Sequence, residues 1–144
     1  MVESAHTQDT QWMEAALAEA ELGLQQGGIP IGSVLVLDNQ IVGRGFNKRV
    51  QLSNPILHGE MDCLQNAGRL TPAQYQRSIL YTTLSPCDMC TGAILLYKIP
   101  RVVIAENETF MGAEELLRSK GVALVRLNLP KAVRMMKTFI EKNP

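Results

Sequence analysis

Charge of one sign is what this sequence lacks: fourteen lysines and arginines offset fourteen aspartates and glutamates, leaving a formal net charge of zero. A balanced chain throws no overall field to gather a polyanion, so composition gives a nucleic-acid partner no support. Cysteine is scarce and odd in number, three in 144 residues. That count argues against a disulfide framework and leaves metal or thiol chemistry as the better use. No apolar run reaches the roughly 20 residues that span a bilayer. The N-terminus, MVESAHTQDTQW, has no positive segment leading into an apolar one, so neither membrane insertion nor export is expected, and the protein is read as cytoplasmic. Internal repeats and Pro/Ser-rich linkers are missing as well. Residues 1–144 are therefore read as one domain, of a size that buries about 70% of its unfolded surface without staples.

What is present is an ordinary globular composition, 46% hydrophobic and 19% charged, arranged in short periodic segments. Met13, Leu17, Ala20 and Leu24 fall on one face of a helix from Thr10 to Gln26, which Gly27-Gly28 stop. IPIGSVLVLD and IVGRGF then read as a β-hairpin turning at Asp38-Asn39-Gln40. After the loop NKRVQLSNP comes a helix in LHGEMDCLQNA, ended by Gly68. Strand and helix then alternate: SILYTT, CDMCTGAILLYK, RVVIA, AEELLRSK, VALVRL and PKAVRMMKTFIEK, the last with Val133, Met136 and Ile140 expected on its inner face and Lys131, Arg134 and Lys137 in solvent. Apolar strands separated by helices imply a sheet covered on both faces. The expected fold class is α/β, a three-layer α/β/α sandwich on a mixed, mostly parallel five-stranded sheet with the hairpin as its antiparallel edge.

Two of the three cysteines, Cys87 and Cys90, stand three apart behind Pro86. A Cys-x-x-Cys pair alone can be a redox couple, half of a structural zinc site or half of a catalytic one. The spacing puts both sulfurs on one face of the first turn of a helix. His58 opens another helix, so two helix N-termini could aim three ligands at one point, where exposed N–H groups and the helix dipole favour thiolate. Three protein ligands on zinc leave the fourth position open, as in catalytic rather than structural sites. His6 lies in a polar tail. Cys63 turns to another face of its helix and is read as a small buried residue. Glu60, about 200° around the helix from His58, is better placed to reach a water on the metal than the metal itself. Two thiolates and a neutral imidazole balance the charge of Zn²⁺, so such a centre acidifies its water weakly and needs a nearby proton acceptor.

His58-Gly59-Glu60 and Pro86-Cys87-Asp88-Met89-Cys90 match the H-x-E…P-C-x-x-C signature of zinc-dependent base and nucleoside deaminases. Together with GGIPIG, GRGFN, LHGE, AGRL and LYTTLSPCDMCTGAI, the chain resembles the cytidine/deoxycytidylate deaminase superfamily along nearly its whole length, and within it the small fungal-type cytosine deaminases. The resemblance implies the cytidine deaminase-like fold, zinc held by His58, Cys87 and Cys90, and a water that attacks the amine-bearing ring carbon. It implies that Glu60 shuttles the proton and that Asn47 contacts the ring edge. The backbone around Gly59 and Ser85 would meet the amine and ring, and Phe110 would pack on the flat base. It also implies a homodimer acting on a small-molecule nucleobase, with no nucleic acid and no membrane as partner.

The match departs in two places. Such relatives continue past the last helix into a tail with aromatic residues and a terminal acidic group that closes the pocket, whereas this sequence ends FIEKNP; either the sequence is cut short there or the pocket is more open. Phe46 also stands where they commonly carry histidine. The leading expectation is deamination of cytosine to uracil and ammonia. Alternatives are deamination of another amino-heterocycle (a modified or aza-pyrimidine, a triazine, guanine), of a nucleoside, or of a flipped base in nucleic acid. A structural zinc or thiol-redox module is the non-enzymatic reading, and it leaves Glu60 without a task.

Overall fold

A computed structural model describes residues 5–143; residues 1–4, the start of the stretch inspected for a leader, and residue 144 lie outside it. Helix α1 (Asp9–Gln25) leads into the hairpin β1 (Gly32–Leu37) and β2 (Gln40–Phe46), followed by α2 (Gly59–Ala67) and a single turn, α3 (Pro72–Tyr75). Then come β3 (Ser78–Thr82), α4 (Asp88–Tyr97), β4 (Arg101–Ile104), α5 (Glu114–Ser119), β5 (Ala123–Arg126) and α6 (Pro130–Lys142). The hairpin turns on Asp38 and Asn39, both left-handed with φ of 50° and 61°, which matches the right-handed twist of the flanking strands. Gly27 and Gly68, at φ 83° and 78°, end α1 and α2 in the conformation that glycine adopts without steric cost.

The sheet has the order β2-β1-β3-β4-β5. It is mixed, as expected, but evenly so: β1 runs antiparallel to both β2 and β3, while β3, β4 and β5 are parallel. The hairpin is thus inserted by its first strand, and four of the five strands point one way. Strand alternation sorts the side chains to two faces. Leu35, Leu80, Val102, Ile104 and Leu124 pack with Cys63, Ile94 and Leu117 of α2, α4 and α5. Val34, Val36, Tyr81, Val103 and Val125 pack with Met13, Ala16 and Leu17 of α1 and Ala132 of α6. These are the three layers. Among the described residues no helix is long and apolar enough to cross a membrane.

Helix α2 lies along the edge strand β2 at very short range. A Cβ on Gly45 would stand 2.5 Å from both Asp62 Oδ2 and Cys63 N, and one on Gly43 would stand 2.6 Å from Ala67 Cβ. The glycines of GRGF therefore serve a helix-strand approach. Side chains of α2 then bond the strand's backbone: Cys63 Sγ to Gly43 O at 3.5 Å, Asn66 Nδ2 to Arg44 O at 2.8 Å.

On the opposite layer, Asp9 begins α1 fully buried. Its carboxylate accepts from Arg101 Nη1 and Nη2 at 2.9 and 2.8 Å, Tyr81 Oη at 2.7 Å and the His6 N–H at 2.7 Å. Burial opposes its ionisation, but the Arg101 guanidinium, the His6 N–H and the Tyr81 hydroxyl outweigh that and hold Asp9 down at about 2.

Two expectations change. Helix α3 has a legible start, Thr71-Pro72 with Gln74 completing a capping box, but one turn carries no periodicity. On α6, Ala132 and Met136 are buried, Val133 is partly covered, and Ile140 is 48% exposed. The C-terminal half of this helix faces a cavity rather than the sheet, so its apolar stripe is not all core. Lys131, Arg134 and Lys137 are in solvent as expected.

Candidate metal centre and its cavity

His58 and Cys87 each occupy the position just before a helix, α2 and α4, with extended backbones of φ −64°, ψ 161° and φ −69°, ψ 177°. Neither side chain caps its own helix, so both are free to turn toward a shared point. Cys90 follows one turn into α4 and is buried. Thr91 Oγ1 donates to Pro86 O at 3.3 Å and Thr91 N to Cys87 O at 2.8 Å, fixing the turn that presents the sulfurs.

One donor atom from each of His58, Cys87 and Cys90 lies within 4.8 Å of the others, and Cys87 Sγ stands 3.5 Å from His58 Nδ1. Donors at about 2.3 Å (sulfur) and 2.0 Å (nitrogen) from a tetrahedral zinc are about 3.5 Å apart, so the set fits that ion. It is the one such group found among the described residues. Cys63 belongs elsewhere, bonded to Gly43, with its thiol pushed up by burial and by the Glu60, Asp62 and Glu19 carboxylates.

The protein surroundings alone oppose a thiolate at Cys90. Burial, followed by the Glu60 charge, raises its thiol far above the ordinary range, more than a helix N-terminus offsets. The same burial pushes the Glu60 carboxyl up to about 7, against its own N–H and the Cys90 thiol beside it. His58 is lowered by burial and by Arg49. A divalent cation bound here would draw the proton off the Cys90 thiol, so metal binding at this seat releases protons.

This seat is the floor of a cavity of about 350 Å³, to which His58, Glu60 and Cys87 contribute. Asn47 and Ser85 stand in its wall and Phe110, in the loop after β4, at its rim. Asn47 is buried; its Oδ1 accepts from Arg49 N at 3.0 Å, and its Nδ2 has no hydrogen-bond partner among the described residues. Ser85 Oγ is occupied, donating to Glu114 Oε2 at 2.6 Å and accepting from Gly112 N at 2.9 Å, and Ser85 N donates to Glu106 O at 3.1 Å, so only its backbone carbonyl is available to a ligand. Gly59 does not line the cavity; it packs behind, where a Cβ would stand 3.1 Å from Ile31 O. Sequence reasoning missed Ile31, Arg49 and the α6 side chains Met136, Phe139 and Ile140, all of which line the cavity. Their apolar spacing on α6 was the available signal, but it looks the same for core.

Three layers around a mixed sheet, with a His/Cys/Cys seat and a buried carboxylate under a small cavity, define a zinc-dependent hydrolytic enzyme. Residues 6–106 match the family model described as the cytidine and deoxycytidylate deaminase zinc-binding region. The chain is 47% identical over 137 residues to a cytosine deaminase of Candida albicans, covering 94% of this chain and 91% of that protein. It is 41% identical over 111 residues to a tRNA-specific adenosine deaminase of Streptococcus pyogenes, covering 76% and 70%. Among solved structures, one from studies of tRNA:A34 deaminases superposes with a TM-score of 0.70 at 29% identity, covering 83% of this chain and 99% of that one. The chain belongs to the cytidine and deoxycytidylate deaminase zinc-binding family.

Proposed function

We propose that the protein hydrolyses a free nucleobase, cytosine, to uracil and ammonia, with His58, Cys87 and Cys90 holding the zinc and Glu60 moving the protons. The observation that carries this reading is the Glu60 carboxyl: fully buried, beside the metal seat and on the floor of a cavity of about 350 Å³, where a structural zinc site would have no use for it. Zinc, when bound, supplies the Lewis acid that makes a water nucleophilic at neutral pH. Glu60 accepts a proton from the attacking water and passes it to the ring nitrogen next to the amine-bearing carbon. As the new carbon–oxygen bond matures, Glu60 carries the second proton to the amine, the carbon–nitrogen bond breaks and ammonia leaves. The Asn47 Nδ2 and the backbone at Ser85 orient the ring edge, Gly59 lets α2 start close enough to do so, and Phe110 covers the face of the base. The 47% identity to a cytosine deaminase supports this substrate. The tRNA-specific relatives favour a second reading, a base presented by RNA, against which the zero net charge weighs.

The protein is further proposed to be a cytoplasmic homodimer. Met89, Leu96 and Tyr97 lie exposed on α4, and exposed Ile56 lines one groove with Tyr97, apolar surface of the kind that copies of a chain cover.

The test is ammonia release by zinc-loaded protein from cytosine, 5-substituted and aza-cytosines, guanine, adenine, triazines and the corresponding nucleosides. Cytosine is expected to lead; turnover of another heterocycle with cytosine inert would keep the chemistry and reject the substrate.

A further inference from the structure

Asn47 sits just past the point where the β1–β2 ladder runs out, at the pair Gly32 and Phe46. From there four successive N–H groups find four different acceptors: Phe46 N to Asp62 Oδ2 at 3.1 Å, Asn47 N to Ile31 O at 2.9 Å, Lys48 N to Leu57 O at 2.9 Å and Arg49 N to Asn47 Oδ1 at 3.0 Å. The side chain of Asp62 is the single α2 side chain in this set. Its Oδ2 also accepts from Lys48 Nζ at 2.7 Å, and that ammonium lies 4.7 Å from the centre of the Phe46 ring. Residues 46 and 48 are thus pinned together on the α2 side, and extended-chain alternation turns the residue between them toward the cavity. Asp62 is itself buried, at 1% exposed, and belongs to the helix that His58 opens and that carries Glu60.

We infer that Asp62 is a positioning residue: by gripping the chain on both sides of Asn47, it fixes that amide relative to the zinc seat at the head of the same helix. This rests on the reading that Asn47 touches the substrate. The Asp62 carboxylate is neither a metal donor nor part of the cavity lining, and the tie to His58 runs through the Asp62 backbone N–H to His58 O at 2.9 Å, which a side-chain substitution leaves in place, so loss of the carboxylate changes substrate affinity and not metal content. Among the described residues its carboxylate bonds Phe46 N and Lys48 Nζ, and an apolar residue would serve the helix better were packing its sole task.

The experiment measures kcat, KM and zinc content for the wild type, Asp62→Ala, Asn47→Ala and the double variant on the best substrate of the ammonia-release panel. Asp62→Ala is expected to raise KM about tenfold with kcat within about twofold and one zinc per chain retained. Added to Asn47→Ala, it should change KM by less than about twofold, because both act through one amide. Should Asp62→Ala not fold, Lys48→Met removes half of the grip without a substitution in α2, and a KM rise of about threefold at constant kcat is expected. Multiplicative effects of Asp62→Ala and Asn47→Ala, or a loss of zinc with KM unchanged, would overturn the inference. An Asn47→Ala variant with unaltered KM would instead reject the role of Asn47, and the inference with it.

Discussion

Glu60 carries the sharpest single-residue expectation. Glutamine has the same shape and keeps the side chain buried without a proton to give or take. Glu60→Gln is therefore expected to keep one zinc per chain while turnover falls by about 10²–10⁴-fold, read by metal analysis alongside ammonia release. Loss of zinc in that variant would make the carboxylate a structural part of the seat instead. The signature residues His58, Glu60, Cys87 and Cys90 were legible in the sequence because metal and proton chemistry restrict residue type and spacing together. Asp62 was not: an acid two positions beyond Glu60 on a helix looks like a solvated face, and what it binds is a strand's backbone N–H and a lysine from the loop beyond that strand. A backbone partner, and a side-chain partner fourteen positions away, leave no local pattern in side-chain identity.

At the scale of elements, the α2–β2 contact ties chemistry to scaffold. Gly45→Ala places a methyl against Asp62 Oδ2 and the Cys63 backbone at 2.5 Å, and backbone on a packed helix cannot step aside. The variant should lose about 1–3 kcal/mol of stability, read by urea unfolding, and its KM should rise as α2 and the Asn47 segment separate. An unchanged unfolding midpoint would contradict the close contact. The hairpin, the alternating strands and the long helices could be read from periodicity and turn chemistry, since each has a buried face that repeats. The even mixture of parallel and antiparallel pairs could not, because strand order is decided by which edge β3 joins. Nor could the half of α6 that lines the cavity, since apolar residues at helical spacing serve a core and a ligand equally well.

For the molecule as a whole, the Asp9 cluster joins the start of α1 to β3 and β4, tying chain segments that are far apart in sequence. A carboxyl held at about 2 against its ordinary 3.8 stabilises the fold fully above about pH 4 and loses that contribution as pH falls through 4 toward 2. The amount is about 2 kcal/mol. Asp9→Asn should lower stability at pH 7 and flatten its dependence on pH in that window, measured by unfolding at pH 7 and pH 3; equal slopes in the two proteins would remove Asp9 from the account. The cavity, finally, is walled by two layers with separate duties. The metal seat and Glu60 come from α2 and α4 on one side of the sheet, while Met136, Phe139 and Ile140 come from α6 on the other. Substitutions confined to α6 can therefore reshape one wall of the cavity while leaving the metal donors and Glu60 inherited intact.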